Sequence, residues 1–111
     1  MNVYDKTHEL AKELKGCPEY TQYKVIKEKI YADQALKEKV KKFDQLRYEM
    51  QLLTIQGEKQ NETKMQELQK MYEELMQNND VKEYFDKEIR FNVMLADVNK
   101  IIGDAVKDVL N

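Results

Sequence analysis

Asp5 and His8 are the first residues in the chain whose types and spacing could support chemistry. A helix would bring their carboxylate and imidazole onto one face, because they lie three positions apart in "VYDKTHEL". Di-iron helical bundles use carboxylate and His pairs of this kind, but they need a second pair and further inward carboxylates. The chain has only one His, so we expect no metal site.

Cys17 is the only cysteine, and it lies in "KGCPEYTQYK". A thiol nucleophile needs a base within hydrogen-bonding distance and usually a third group that orients the base. The chain has no Ser, no glycine-rich phosphate loop and no cluster of Cys and His. We therefore expect no catalytic residue, no cofactor and no enzymatic activity. An iron- or redox-dependent sensor that uses Cys17 and the Asp5/His8 pair remains an alternative hypothesis.

Gly16-Cys17-Pro18 is more simply interpreted as a boundary between two helices. Gly is favoured just past the end of a helix, where it accepts a positive φ, and Pro is favoured at the first position of a helix. We expect this stretch to be a hinge, with an incidental thiol.

The composition favours helices throughout, since the chain has three Gly, one Pro, no Ser and 36% charged residues. We predict an all-α fold, an antiparallel multihelical bundle of about five helices, in a single domain over residues 1–111. Gly57 should end the third helix, and Asp80 with Glu83 has the form of a capping box. The helix starts are predicted at Asn2, Pro18, Asp33, Asn61 and Asp80.

The last predicted helix has apolar residues around most of its circumference, which is typical of a helix covered on nearly all sides. One chain of 111 residues has too little material to cover it, so a second copy is the natural neighbour. We predict a homodimer or larger assembly around residues 84–110. The residues expected at this interface are Phe91, Met94, Leu95, Val98, Ile101 and Ile102.

A second apolar group lies near the predicted turn at Gly57. Met50, Leu53 and Ile55 precede this turn, and exposed members of the group would form a docking patch for an unidentified protein partner. Methionine suits such a patch because its flexible side chain adapts to different surfaces.

Charge is unevenly distributed along the chain, although the net charge is only −2. Lys24–Arg47 contains eight basic and four acidic residues, whereas Glu58–Glu88 contains nine acidic and five basic residues. The simpler interpretation is that the third and fourth helices complement each other. The alternative is that Lys37 and Lys41, with Tyr31 and Tyr48 nearby, contact RNA.

No segment has the length or composition to enter a membrane. The longest apolar run is Val93–Ala96, far short of the ~20 residues that cross a bilayer, and the N-terminus lacks the apolar stretch of a secretory signal. We expect a cytoplasmic protein without membrane insertion.

The stretches "EYTQYK", "YADQALKEKVKKF" and "FNVMLADVNKII" together resemble the YheA/YlbF/YmcA family of small helical bacterial proteins, and the layout is most similar to the YheA branch. This resemblance spans nearly the whole chain. It implies a multihelical cytoplasmic protein that self-associates. The YheA branch has no established activity.

The resemblance to YlbF and YmcA also implies a regulatory function. Those proteins act with a third protein as regulators of competence, biofilm formation and sporulation, through messenger-RNA processing by the endonuclease RNase Y. They are also associated with iron–sulfur clusters through cysteines, some toward their C-termini. This chain ends "AVKDVLN" and has Cys17 alone, so no cluster ligand and no functional residue carries over.

Taken together, these features favour a non-enzymatic helical adaptor or regulatory protein that forms homo-oligomers and binds protein partners. The alternative, implied by the YlbF and YmcA resemblance, is an accessory factor in RNA binding or RNA processing.

Overall fold

A computed structural model describes residues 2–57 and 62–110, and within these ranges the chain forms five α-helices and no β-strand. The predicted all-α class and the number of helices are confirmed. No helix in the described ranges is long and apolar enough to span a membrane. The helices are α1 (Val3–Gly16), α2 (Pro18–Ala32), α3 (Gln34–Ile55), α4 (Glu62–Leu75) and α5 (Asn79–Leu110).

Two of the predicted helix caps are confirmed by hydrogen bonds. Asn2 Oδ1 accepts from the backbone N–H of Asp5 at 2.9 Å, and Asp33 Oδ1 accepts from that of Leu36 at 3.2 Å. These bonds satisfy N–H groups that the first turn of a helix leaves without a partner. The third predicted cap, Asn61, lies outside the described residues.

Helix α5 is capped by Asn78, so the prediction of Asp80 as its cap is wrong. Asn78 Oδ1 accepts from the backbone N–H of Asp80 at 2.9 Å and of Val81 at 3.2 Å. The Asp80 carboxylate instead accepts from Lys29 Nζ at 3.2 Å. Asn and Asp are about equally good helix caps. Here the Asp80 carboxylate forms an ion pair with Lys29 of α2 and does not cap α5.

The boundary between α1 and α2 is where the sequence predicts it, but Cys17 makes the break. Cys17 is extended, with φ −81° and ψ 154°, as expected of a residue that precedes proline. Gly16 is the last residue of α1, and Gly57 is the only glycine with a positive φ among the described residues. The expectation that Gly16 ends the helix through a positive φ is therefore wrong.

The chain divides into two compact units, and α2 packs against α5 in the first. This unit holds the residues up to Lys27 and those from Tyr84 onward. Contacts join Cys17 to Met94, Tyr20 to Phe91 and Tyr23 to Glu88, so each step forward along α2 is matched by a step back along α5. The two helices are therefore antiparallel.

The second unit, Glu28–Glu83, is organised by the packing of α3 against α4. Lys39 Nζ lies 3.1 Å from a carboxylate oxygen of Glu74, and Lys64 Nζ lies 3.9 Å from one of Glu49. This order of contacts makes α3 and α4 antiparallel. The pair of Lys39 with Glu74 joins the basic segment to the acidic one, whereas the pair of Lys64 with Glu49 has the opposite polarity.

The buried side chains of the described residues are all apolar or aromatic. They are Ile26, Tyr84 and Phe85 in the first unit and Ile30, Val40, Phe43, Met50, Leu75 and Val81 in the second. The proposal that residues 1–111 form a single domain stays a prediction.

Truncation of Ile30 should destabilise the protein far more than truncation of Val25 in the same helix. Ile30 is 1% exposed and Val25 is 67% exposed. We expect Ile30→Ala to lower the free energy of unfolding by about 2–5 kcal/mol. Val25→Ala should change it by less than about 0.5 kcal/mol. Urea titration followed by circular dichroism at one protein concentration measures both, and equal effects would contradict this core assignment.

The glycines at 57 and 103 should respond in opposite directions to alanine. Gly57 has φ +74°, where a Cβ is strained, whereas Gly103 lies inside α5 with open space around it. We expect Gly57→Ala to lower the free energy of unfolding by about 1 kcal/mol. Gly103→Ala should raise it by about 0.8–1 kcal/mol through helix propensity. Thermal unfolding of both variants tests this, and shifts of the same sign would refute it.

Candidate protein-interaction surfaces

The α5 surface is defined here as the six residues predicted at a self-association interface. Its first four members are half-buried, whereas Ile101 is 70% exposed and Ile102 is also exposed. Exposure therefore increases toward the C-terminus of α5. The six residues are Phe91, Met94, Leu95, Val98, Ile101 and Ile102.

Aromatic packing against α2 fixes the beginning of this surface. The Phe91 ring stacks on Tyr23 with centroids 5.4 Å apart and packs against Tyr20 at 6.1 Å. Tyr23 also packs against Tyr84 at 5.7 Å, and its hydroxyl lies 3.5 Å from a carboxylate oxygen of Glu88. These contacts bury one side of α5 and set its rotation about the helix axis, which determines which residues stay exposed further along.

The last part of α5 is exposed on every side. Every described residue from Asn99 to Leu110 is exposed in the isolated chain. These residues include apolar side chains beyond the predicted set, namely Val106, Val109 and Leu110. The spacing of the apolar residues in "DAVKDVL", with Val106 and Val109 three positions apart, was the sequence signal for them.

Helices α3 and α4 form an apolar groove in the second unit. It consists of two cavities of 360 and 520 Å³ that share Met50 and Leu68. Sequence periodicity assigns Phe43, Met65 and Tyr72 to the core, and only the pairing of the two helices shows that they line a groove. We define the α3–α4 groove by its lining residues Phe43, Arg47, Met50, Gln51, Thr54, Ile55, Met65, Leu68, Gln69 and Tyr72.

The three predicted docking residues occupy different environments. Met50 is 6% exposed and lines both cavities, and Ile55 is 81% exposed and lines the smaller one. Leu53 is half-buried and does not line either cavity. The groove therefore includes Met50 and Ile55, whereas Leu53 lies outside it.

Several basic residues of Lys24–Arg47 are engaged within the chain. The Nζ atoms of Lys37 and Lys41 lie 5.5 and 5.8 Å from the centroid of the Tyr31 ring. Lys39 pairs with Glu74, and an Arg47 Nη lies 2.9 Å from an Asp44 carboxylate oxygen. Cations already occupy the vicinity of the Tyr31 ring, where a base would have to stack.

The candidate metal and redox residues are not brought together. Cys17 is half-buried, its Sγ donates to the Leu14 carbonyl oxygen at 3.0 Å, and it lies 3.5 Å from Met94 Sδ. Asp5 and His8 lie on α1, which has no buried residue. Within residues 2–57 and 62–110, no group of three or more metal-ligating side chains is found.

Comparison with known proteins assigns the chain to a family. A sequence profile described as "Control of competence regulator ComK, YlbF/YmcA" matches residues 3–107. The chain belongs to the YlbF/YmcA family. The family is described by the control of a regulator, with no chemical reaction named.

Relatives within this family match most of the chain. A UPF0342 protein of Caldicellulosiruptor saccharolyticus is 37% identical over 105 residues, which cover 95% of this chain and 88% of the relative. A UPF0342 protein of Clostridium tetani is 36% identical over 106 residues, which cover 96% and 91%.

A solved structure supports the fold. The "Protein of Unknown Function (DUF964) from Bacillus stearothermophilus" matches with a TM-score of 0.78 over 98% of this chain and 96% of that chain. Its sequence identity is 13%, so the likeness concerns the fold alone.

Proposed function

We propose that the protein is a cytoplasmic, non-enzymatic regulatory adaptor that self-associates through the α5 surface and binds a protein partner in the α3–α4 groove. The observation that carries this proposal is the exposed apolar end of α5, which the isolated chain leaves uncovered. The family is described by the control of a regulator, and this description agrees with a protein that acts by binding other proteins.

Self-association is supported by the amount of apolar side chain exposed after Val98. Ile101, Ile102, Val106 and Val109 are all exposed. Full burial of one such side chain is worth about 1.5–3 kcal/mol, so covering several of them can drive association. Most soluble homo-oligomers use a two-fold axis, and each protomer would present the same surface to its partner.

Partner binding is supported by the shape and composition of the α3–α4 groove. Its lining is mostly apolar or aromatic, and Met50 and Met65 provide flexible side chains that adapt to a ligand. The guanidinium of Arg47 pairs with Asp44 and packs over Phe43, so the groove offers little free charge. These features suit a helical segment of another protein with apolar residues three and four positions apart.

The RNA-binding alternative rests on the basic segment and on the YlbF and YmcA resemblance. The pairing of Lys39 with Glu74 and of Lys29 with Asp80 reduces the charge available to phosphates. We retain RNA binding as a second hypothesis. An affinity for RNA that falls steeply as the salt concentration rises would support this hypothesis.

Charge placed on the exposed part of the α5 surface should weaken self-association. We expect Ile102→Glu to raise the dissociation constant of the oligomer about tenfold or more, because assembly would bury a carboxylate in place of an apolar side chain. Ala96→Glu is the matched control. Ala96 is exposed, and its position two residues before Val98 puts it on the opposite side of the helix.

Sedimentation equilibrium measures both dissociation constants, and circular dichroism checks that the helices persist. Equal dissociation constants for Ile102→Glu, Ala96→Glu and the unaltered chain would contradict self-association through this surface.

Charge placed in the α3–α4 groove should weaken partner binding. Met65 is exposed and lines the groove, whereas Gln66 is exposed and lines neither cavity. A photo-crosslinking residue at position 65 should capture one dominant protein that the same residue at position 66 does not.

The captured protein then supplies a purified helical segment for titration. We expect Met65→Lys to weaken its binding about tenfold or more, while Gln66→Lys leaves it unchanged. The same capture pattern from positions 65 and 66 would refute the groove as the docking site.

A further inference from the structure

We propose that the segment bound in the α3–α4 groove is an amphipathic helix with a basic residue just beyond one end of its apolar stripe. This inference rests on the proposed binding of a protein partner in the groove, and it names the chemical class of that partner. The basic side chain would dock at the acidic end of the groove, which we define by Phe43, Asp44, Tyr72 and Glu73.

Two aromatic rings form the acidic end of the groove. The ring centroids of Phe43 and Tyr72 lie 6.1 Å apart, and both residues line the larger cavity. Phe43 is buried, whereas Tyr72 is 47% exposed, so a ligand in the groove can reach the Tyr72 ring. The Arg47 guanidinium already lies 5.5 Å from the centroid of the Phe43 ring. Aromatic faces attract cations at such distances, and Tyr72 provides a second ring for an incoming cation.

Two carboxylates flank these rings, one on each helix. Asp44 and Glu73 each follow one of the two ring residues directly, so they lie at about the same level of the helix pair. Asp44 accepts from an Arg47 Nη at 2.9 Å. Glu73 accepts from Gln69 Nε2 at 3.4 Å and forms no ion pair with another described residue. Because Gln69 lines the larger cavity, this bond places the Glu73 carboxylate at the edge of the groove. Two carboxylates and one guanidinium leave an excess of negative charge.

The other end of the groove has an uncharged lining. Since α3 and α4 are antiparallel, this end consists of the last turns of α3 and the first turns of α4, with the lining residues Gln51, Thr54, Ile55 and Met65. Lys64 pairs with Glu49 nearby. Glu62 lies in the first turn of α4, where the positive end of the helix dipole offsets part of its charge. Charge therefore distinguishes the two ends of the groove and gives a bound helix a preferred direction.

The spacing of the lining residues sets the length of the apolar stripe on the partner. Met65 and Tyr72 are seven positions apart, which corresponds to about 10 Å or two helical turns, and Leu68 lies between them. A bound helix therefore needs apolar residues over about two turns. A Lys or Arg three or four positions beyond this stripe would meet Glu73 and the Tyr72 ring. An acidic helix would place like charge there, which weakens binding.

Two synthetic helical peptides test this inference. Both carry leucine at positions i, i+4 and i+7 and a side-chain crosslink that keeps them helical, and they differ only at i+11, which is lysine in one and glutamate in the other. We expect the lysine peptide to bind the intact protein about fivefold or more tightly than the glutamate peptide. This difference should shrink as the salt concentration rises. Fluorescence anisotropy of the labelled peptides measures both dissociation constants.

A charge reversal at Glu73 tests where the lysine docks. We expect Glu73→Lys to weaken binding of the lysine peptide about fivefold or more and to strengthen binding of the glutamate peptide, a gain that misfolding cannot produce. Glu67→Lys is the matched control and should change either affinity less than about twofold. Glu67 is exposed, lines neither cavity and lies two positions from both Met65 and Gln69, which places it on the opposite side of α4.

The possible results separate this inference from the proposed function. If neither peptide binds, docking in the groove fails and the inference fails with it. If both peptides bind equally and Met65→Lys weakens both, the groove binds a helix but the preference for a basic residue is overturned. Equal effects of Glu73→Lys and Glu67→Lys would overturn the acidic end as the docking site. An affinity for the lysine peptide that falls as the protein concentration rises would show that a second copy of the chain occupies the groove, and would also overturn the inference.

Discussion

Helix α5 is much longer than the helix that packs against it, and this difference in length leaves its C-terminal end exposed. Helix α5 has 32 residues and α2 has 15, which correspond to about 48 and 22 Å. An antiparallel neighbour of that length can cover only part of α5. The aromatic residues Tyr20 and Tyr23 meet Phe91 and Tyr84 within the covered part, whereas every residue from 99 to 110 is exposed.

The candidate functional surfaces lie where the apolar core ends. In the first unit, burial decreases along α5 and its last apolar residues are exposed. In the second unit, the side chains of α3 and α4 leave cavities beside Met50 and Leu68. The described residues bury no polar or charged side chain and gather no metal-ligating cluster. The exposed apolar end of α5 and the α3–α4 groove are the features that support the proposed association with other proteins, and this proposal agrees with a family described by the control of a regulator.

Much of the fold was predictable because local physics determines it. The caps at Asn2 and Asp33 and the break at Cys17 and Pro18 follow from residue types within one helical turn. The start of α5 was harder to place because Asn78, Asn79 and Asp80 are all good caps, and the ion pair that engages the Asp80 carboxylate comes from Lys29, far away in the sequence. The α3–α4 groove could not be predicted from the sequence, because it forms only where two helices pair and periodicity does not show which helices pair. A periodic stripe also shows that a helix has an apolar face without showing what covers it.

We propose that another copy of the chain covers the apolar end of α5. Sedimentation equilibrium of the unaltered protein across the micromolar range tests it most directly. We expect a mass of at least two chains that falls toward one chain on dilution. A mass of one chain throughout that range would contradict it.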